Sequence, residues 1–211
     1  MLTLAPSHPR TLSMSKFFGP GQAAVTGNLP LPVKHGQMGE TKRNLMSKAF
    51  ADLLNDDDAK ALEALAVIHE QGDATAILPL LQALAATDDP LRQRRITALL
   101  YEVKVKDAPA ELAKALDMPE LLDVRNTAIA AFWNAGLDAG PYTERLLQIA
   151  VEGDADETFE VLTVVENQEL LPEKAARKGL ARVEKAAASE KDAYKRTLLD
   201  NLAAVLKERL G

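Results

Sequence analysis

From Asn44 onward the chain breaks its apolar runs with an acid, a proline or a Gly-Asp pair at nearly even intervals, and this punctuation constrains the fold more than any other feature. Inside each interval the apolar residues recur at three- and four-residue steps, the spacing that lines one face of an α-helix. The spacing predicts a first short helix over Lys42–Leu54, with Leu45, Ala49 and Leu53 inward, and a second over Asp57–Gln71, with Leu62, Leu65, Ala66 and Ile68 inward. Gly72 and Asp73 then stop one helix and start the next, a link short enough to predict that residues 74–86 fold back on their predecessor as an αα-hairpin. Ile77, Leu80, Leu81 and Leu84 are its buried side, and Pro79 falls near its start, where backbone N–H groups lack helical partners anyway.

Further along, Asp89-Pro90 combines a capping carboxylate with a ring that presets φ, and starts a helix reaching about Val103 with Ile96, Leu99, Leu100 and Val103 inward. Asp107-Ala108-Pro109 opens a short partner ending at Leu116. Pro119 opens a helix ending at Gly136, with Leu122, Arg125, Ala128, Ile129 and Phe132 on its inner face. Gly140-Pro141 precedes a helix carrying Leu146, Leu147, Ile149 and Ala150, and Gly153-Asp154 precedes one carrying Phe159, Leu162, Val165 and Glu166. Leu171-Pro172 starts a helix ending near Ser189, and Asp192–Leu210 is a last long amphipathic helix. The β-branched stretch at 161–165 is the closest approach to a strand, but the caps at Asp154 and Asp156 and the length of the segment favour a helix. The predicted fold class is all-α. Alternate helices begin at about Asp57, Asp89, Pro119, Asp154 and Glu190, steps of about 30–36 residues, the period of two-helix solenoid repeats.

Charge separates the chain into three parts. Residues 1–45 carry five basic residues and one acid, residues 46–171 carry 10 and 24, and residues 172–211 carry 10 and 6, within a net charge of −6. An acidic body argues against a general nucleic-acid binder, which displaces counterions with a basic surface. Residues 1–41 read as a disordered leader, because five Pro and five Gly fall within residues 1–40 without an apolar period. Met1, Met14, Met38 and Met46 are all plausible starts, so part of this leader is expected to reflect an over-extended gene model. Residues 42–211 form the folded part. The chain has no cysteine, which excludes disulfides and thiolate chemistry and suits a reducing, cytoplasmic setting. No apolar run is long enough to span a membrane.

These residues resemble HEAT repeats of the short bacterial, phycobilin-lyase-like sort. The turn and second helix of that pattern are similar to Ala64-Leu-Ala-Val-Ile-His-Glu-Gln-Gly-Asp73 followed by Ala76-Ile-Leu-Pro-Leu-Leu81. The first-helix pattern, with an Arg and small residues inside, is similar to Asp123-Val-Arg125 followed by Ala128 and Ala131, and more loosely to Asp89-Pro-Leu-Arg92. The resemblance covers about residues 55–190. It implies an α-solenoid of about four antiparallel helix pairs, a C-terminal capping helix, and a concave side lined by the second helix of each pair.

Candidate chemistry is sparse. Of three histidines, His8 and His35 fall in the leader and His69 stands alone in the body, so a multi-histidine metal centre is excluded there. A single His69-Glu70 pair does not supply the successive pairs that HEAT-type di-iron hydroxylases use. Asp56-Asp57-Asp58 lacks the spacing of a calcium loop and reads as helix capping. No phosphate loop, nucleophile elbow or zinc-protease motif occurs, and no grouping of Tyr, Trp and acids marks a pigment pocket. No catalytic residue, metal or cofactor is therefore expected.

Two features point to partner binding. Lys174, Lys178, Arg182 and Lys185 step by four, four and three residues, which places them on one helix face. In the aromatic pair Phe132-Trp133, Phe132 is in phase with the core, whereas Trp133 lies one step round the helix, at the core edge or on a partner surface. The expected activity is a non-catalytic protein-interaction scaffold with a partner that is another protein of acidic surface. The alternative is a lyase-type or enzyme-accessory module acting on a bound chromophore or protein. Monomer or weak, salt-sensitive self-association is expected, with neither nucleic acid nor membrane as partner.

Overall fold

A computed structural model describes residues 35–55 and 57–211. They form ten α-helices, with no strand among the described residues: α1 (His35–Leu53), α2 (Asp58–Gln71), α3 (Ile77–Ala86), α4 (Pro90–Glu102), α5 (Ala108–Ala115), α6 (Arg125–Asn134), α7 (Thr143–Glu152), α8 (Ala155–Asn167), α9 (Glu173–Ser189) and α10 (Ala193–Leu210). Short 3₁₀ turns at Ala74–Ala76, Pro119–Val124 and Gly140–Tyr142 precede α3, α6 and α7. Most of the expected leader, residues 1–34, lies outside the described residues, while 35–41 belong to α1.

The helices start where short polar side chains satisfy the first free N–H groups. Asp57, Asp89, Asp154 and Asp192 each accept a backbone hydrogen bond from the first turn of the following helix. At α8 the arrangement is reciprocal, because Glu157 also accepts from the Asp154 N–H, closing a capping box. The end of α6 is fixed by Gly136, whose φ of 65° is left-handed. The N–H of Leu137 donates to Phe132 O at 2.8 Å and that of Gly136 to Trp133 O at 3.2 Å, the double bond of a Schellman termination.

Close packing joins α1 to α2, α3 to α4, α5 to α6, α7 to α8 and α9 to α10. It also joins α2 to α4, α4 to α6, α6 to α8 and α8 to α10, while α3 packs on α5 and α7 on α9. The pairing is thus offset by one helix from the sequence reading, which placed α3 against α2 and α9 against α8. Link length accounts for three of these pairs. Links Thr87–Asp89, Gly153–Asp154 and Glu190–Asp192 are short enough to force a side-by-side return. After α2 and α6 the chain instead runs through a 3₁₀ turn, and after α8 through an extended stretch ending at Pro172, and there the next helix packs elsewhere, whereas α5 and α6 pack together across the 3₁₀ turn Pro119–Val124.

The core follows the helical phase with several exceptions; Ala66 of α2, expected inward, is exposed, as is Glu166 of α8. In α1 the buried residues are Met46, Ala49 and Leu53, and Leu45 is exposed. Residues 119–124 form a 3₁₀ turn of three residues per turn, so Leu121 and Val124 turn inward and Leu122 outward. In α8 the buried side is Thr158, Val161, Leu162, Val164 and Val165, which leaves Phe159 exposed.

Candidate interaction surface

Among the described residues no helix is long and apolar enough to cross a membrane, and no three His, Asp or Glu side chains group so as to hold a metal ion. What the fold does position is charge. The α9 sequence places Ala176, Gly179, Val183 and Ala187 on its buried side, against α7 and α10. Lys174, Lys178, Arg182 and Lys185 occupy the exposed side, as the four-residue steps predict. Gly179 is what lets the two helices approach: a Cβ there would lie 3.2 Å from Leu147 Cγ, tighter than ordinary contact.

This close approach sets Glu144 of α7 under the strip. Lys178 Nζ donates to Glu144 Oε1, and Arg182 Nη1 stands 3.8 Å from the same oxygen. The hydrogen bond from Lys178, then the charges of Lys178, Arg182 and Lys174, hold the Glu144 carboxyl below its ordinary range. Two of the four strip cations thus pair with one acid, and Lys174 adds its charge from farther off. Lys185 has no ion-pair partner among the described residues, and with Arg182 it lines an open groove of about 650 Å³ between α7 and α9, lined also by Val151 and Ala186, by Gln148, Ser189 and Lys191, and by two acids, Glu152 and Glu190.

Trp133 is not part of this surface. It projects from α6 toward α8, where its Nε1 donates to Glu160 Oε2 at 2.8 Å, and it is half-buried. Tyr101 of α4 is close enough to feel the same carboxylate: burial, then the charge of Glu160, pushes the phenol up from its ordinary value. Folding thus assembles a Trp–Glu–Tyr group that sequence spacing does not reveal, because its members come from three helices. His69 is exposed at the last turn of α2, and Asp57 serves as the α2 cap.

The sequence reading also missed the ties between successive pairs. Arg125 at the start of α6 clasps Glu157 at the start of α8 with both Nε and Nη2. Arg92, three residues after the α4 cap, donates to Asn55 O at 3.2 Å. Lys195, three residues after the α10 cap, is buried and donates to Val151 O at 3.1 Å and Gly153 O at 2.5 Å. In each case a basic residue of the first helical turn crosses to the turn of a neighbouring pair. The one sequence signal was the shared Asp-x-x-basic spacing of Asp89–Arg92 and Asp192–Lys195.

No protein-family model, curated protein or solved structure matches the chain.

Proposed function

We propose that the chain is an α-solenoid of HEAT-like helix pairs that serves as a non-catalytic protein-interaction scaffold, and that the α9 strip receives an acidic segment of another protein. The solenoid reading is supported by the order of neighbours, in which α2, α4, α6, α8 and α10 each pack on the next. A helix pair cannot cover its own apolar side, and stacking covers it. Five pairs, beginning with α1/α2, fit this order better than the four with a separate cap that the sequence suggests. A reducing compartment such as the cytoplasm suits a cysteine-free chain.

The observation that carries the binding reading is the surplus of positive charge over Glu144. One carboxylate pairs with two cations, Lys178 and Arg182, while Lys174 and Lys185 have no ion-pair partner among the described residues, and the groove beside them is open. A partner carboxylate entering the groove gains charge-assisted hydrogen bonds from Arg182 and Lys185 on a preformed helix, so little ordering opposes binding.

The test is a titration of a fluorescein-labelled Glu-rich peptide against the full chain, read by anisotropy at several salt concentrations. Lys174→Ser, Lys178→Ser, Arg182→Ser and Lys185→Ser together abolish binding on this reading. Glu144→Gln strengthens it, because the competing acid is gone. Unchanged affinity in the fourfold variant, or weaker binding after Glu144→Gln, rejects the strip as the site.

A further inference from the structure

The described residues include seven large hydrophobic side chains that are exposed, and five of them occupy corresponding places in the fold. Leu54 lies in the link before α2, Leu91 in the first turn of α4, Leu122 in the 3₁₀ turn before α6, Phe159 early in α8 and Tyr194 in the first turn of α10. Their exposures fall between 45% and 57%, about one such residue for each helix pair. Scattered exposed leucines are ordinary on a protein surface. These five each lie within four residues of the start of an even-numbered helix.

The ties already described put these places in a row. Arg92 on Asn55 O joins the starts of α4 and α2, Arg125 on Glu157 joins those of α6 and α8, and Lys195 on Gly153 O joins those of α10 and α8. The remaining step, α4 to α6, is fixed by their direct packing.

Charge along this edge is one-sided. The cations of its turns face inward: Arg92 and Lys195 onto carbonyl oxygens, Arg125 onto Glu157. Its acids face outward. Asp88, Asp123 and Asp156 are exposed with no ion-pair partner among the described residues, and the capping Asp57, Asp89, Asp154 and Asp192 are exposed as well. Lys60, Arg94, Lys191 and Arg196 are exposed cations nearby, Arg196 donating to Glu190 O, and they are fewer than the seven acids.

We propose that this edge, with its apolar side chains at intervals among unpaired acids, is a docking surface for an extended basic segment of another protein bearing an apolar residue at every third position. Packed helices stand about 8–10 Å apart, and one three-residue turn of polyproline-type chain covers about 9 Å and returns its side chains to the same face. One rung of the edge thus matches three residues of such a segment, whose Lys and Arg side chains meet Asp88, Asp123 and Asp156. The surface involves none of the α9 strip residues, so it stands or falls separately from the acidic-partner reading.

The test uses the full chain and a labelled peptide of five Leu-Lys-Lys repeats, with a second peptide of the same composition but its leucines grouped at one end. On this proposal the repeating peptide binds about tenfold more tightly or better, since several half-exposed apolar groups are covered at once. Leu91→Ser, Leu122→Ser and Phe159→Ser together remove that preference without lowering the melting temperature. Asp88→Asn, Asp123→Asn and Asp156→Asn together weaken both peptides and flatten the salt dependence. Equal affinity for the two peptides in the wild-type chain overturns the proposal, as does wild-type binding by the apolar variant. Sedimentation showing a dimer that the apolar variant dissociates also overturns it, because a second copy is then the occupant.

Discussion

Arg125 and Glu157, 32 positions apart, meet as a two-point clasp, with Nη2 2.9 Å from Oε2 and Nε on Oε1. Their side chains are 17% and 8% exposed, so little water screens the pair. The hydrogen bond to Glu157 is the leading reason that the Arg125 guanidinium is held even more firmly protonated than usual. Glu157 also closes the capping box of α8. Removing the acid therefore leaves a half-buried cation and an open helix start.

Glu157→Ala is expected to cost about 3–4 kcal/mol of unfolding free energy in urea titrations, from the broken pair and the lost cap. The double change Arg125→Met with Glu157→Leu should cost clearly less, because no charge is left stranded. A single-mutant loss below about 1 kcal/mol would show that water, not the arginine, satisfies the carboxylate.

Titration of Glu144 tests the strip without any partner. Its folded-state pKa lies below the ordinary value, chiefly through the Lys178 hydrogen bond. This group therefore adds stability above the ordinary carboxylate pKa, and that contribution is lost as pH falls through the depressed value. Carbon-detected NMR of the side-chain carboxyl should show the depression in the wild type and a return toward the ordinary range in Lys178→Ala. An identical midpoint in both proteins would contradict the contact.

Gly179→Val tests the close approach of α9 to α7. A glycine in a helix interior normally costs stability, so replacing it should help if space allowed. Leu147 Cγ and Cβ stand 3.2 and 3.3 Å from the position of a new Cβ, and Leu147 is only 1% exposed. Overpacking should prevail, with a loss of about 2–3 kcal/mol in chemical denaturation. A neutral or stabilising result would mean that the helices separate easily.

Gln168 offers a fourth measurement. Its side chain is buried, accepting from the Ala139 N–H at 2.8 Å and donating to Leu137 O at 3.1 Å, so it fastens the α6–α7 loop to the end of α8. Gln168→Leu keeps the volume but strands both backbone groups, at a cost of about 2 kcal/mol. For a folded part of this size that lowers Tm by about 4–8 °C in calorimetry. Retention of the wild-type Tm would mean that the loop re-forms its hydrogen bonds elsewhere.

Helix starts were legible because their causes are local. Asp89 and Asp192 cap amides three residues away, and Gly136 takes a left-handed φ at the end of its own helix. Pairing was not legible. Gly72-Asp73 and Gly153-Asp154 look alike in sequence, yet only the second leads straight into a capped helix, with Glu157 in place to close the box. Leu122 was misplaced for a related reason, since a 3₁₀ turn changes which residues face inward. The α9 stripe could be read from spacing alone. Glu144, 34 residues from Lys178, could not, and neither could Glu160, 27 residues from Trp133, because only the packing of other helices brings them near.

The ties between pairs differ in what they demand of heredity. Lys195 and Arg92 grip carbonyl oxygens, which every amino acid supplies, so the grip does not itself depend on the side chain at 153 or 55, although at 153 a Cβ would crowd Ile149 O and the Glu157 carboxylate. Arg125 grips a side chain, so that joint survives drift only if two distant codons move together. The first kind lets the turn at 55 change its side chain without releasing Arg92. The second locks the middle of the molecule in place.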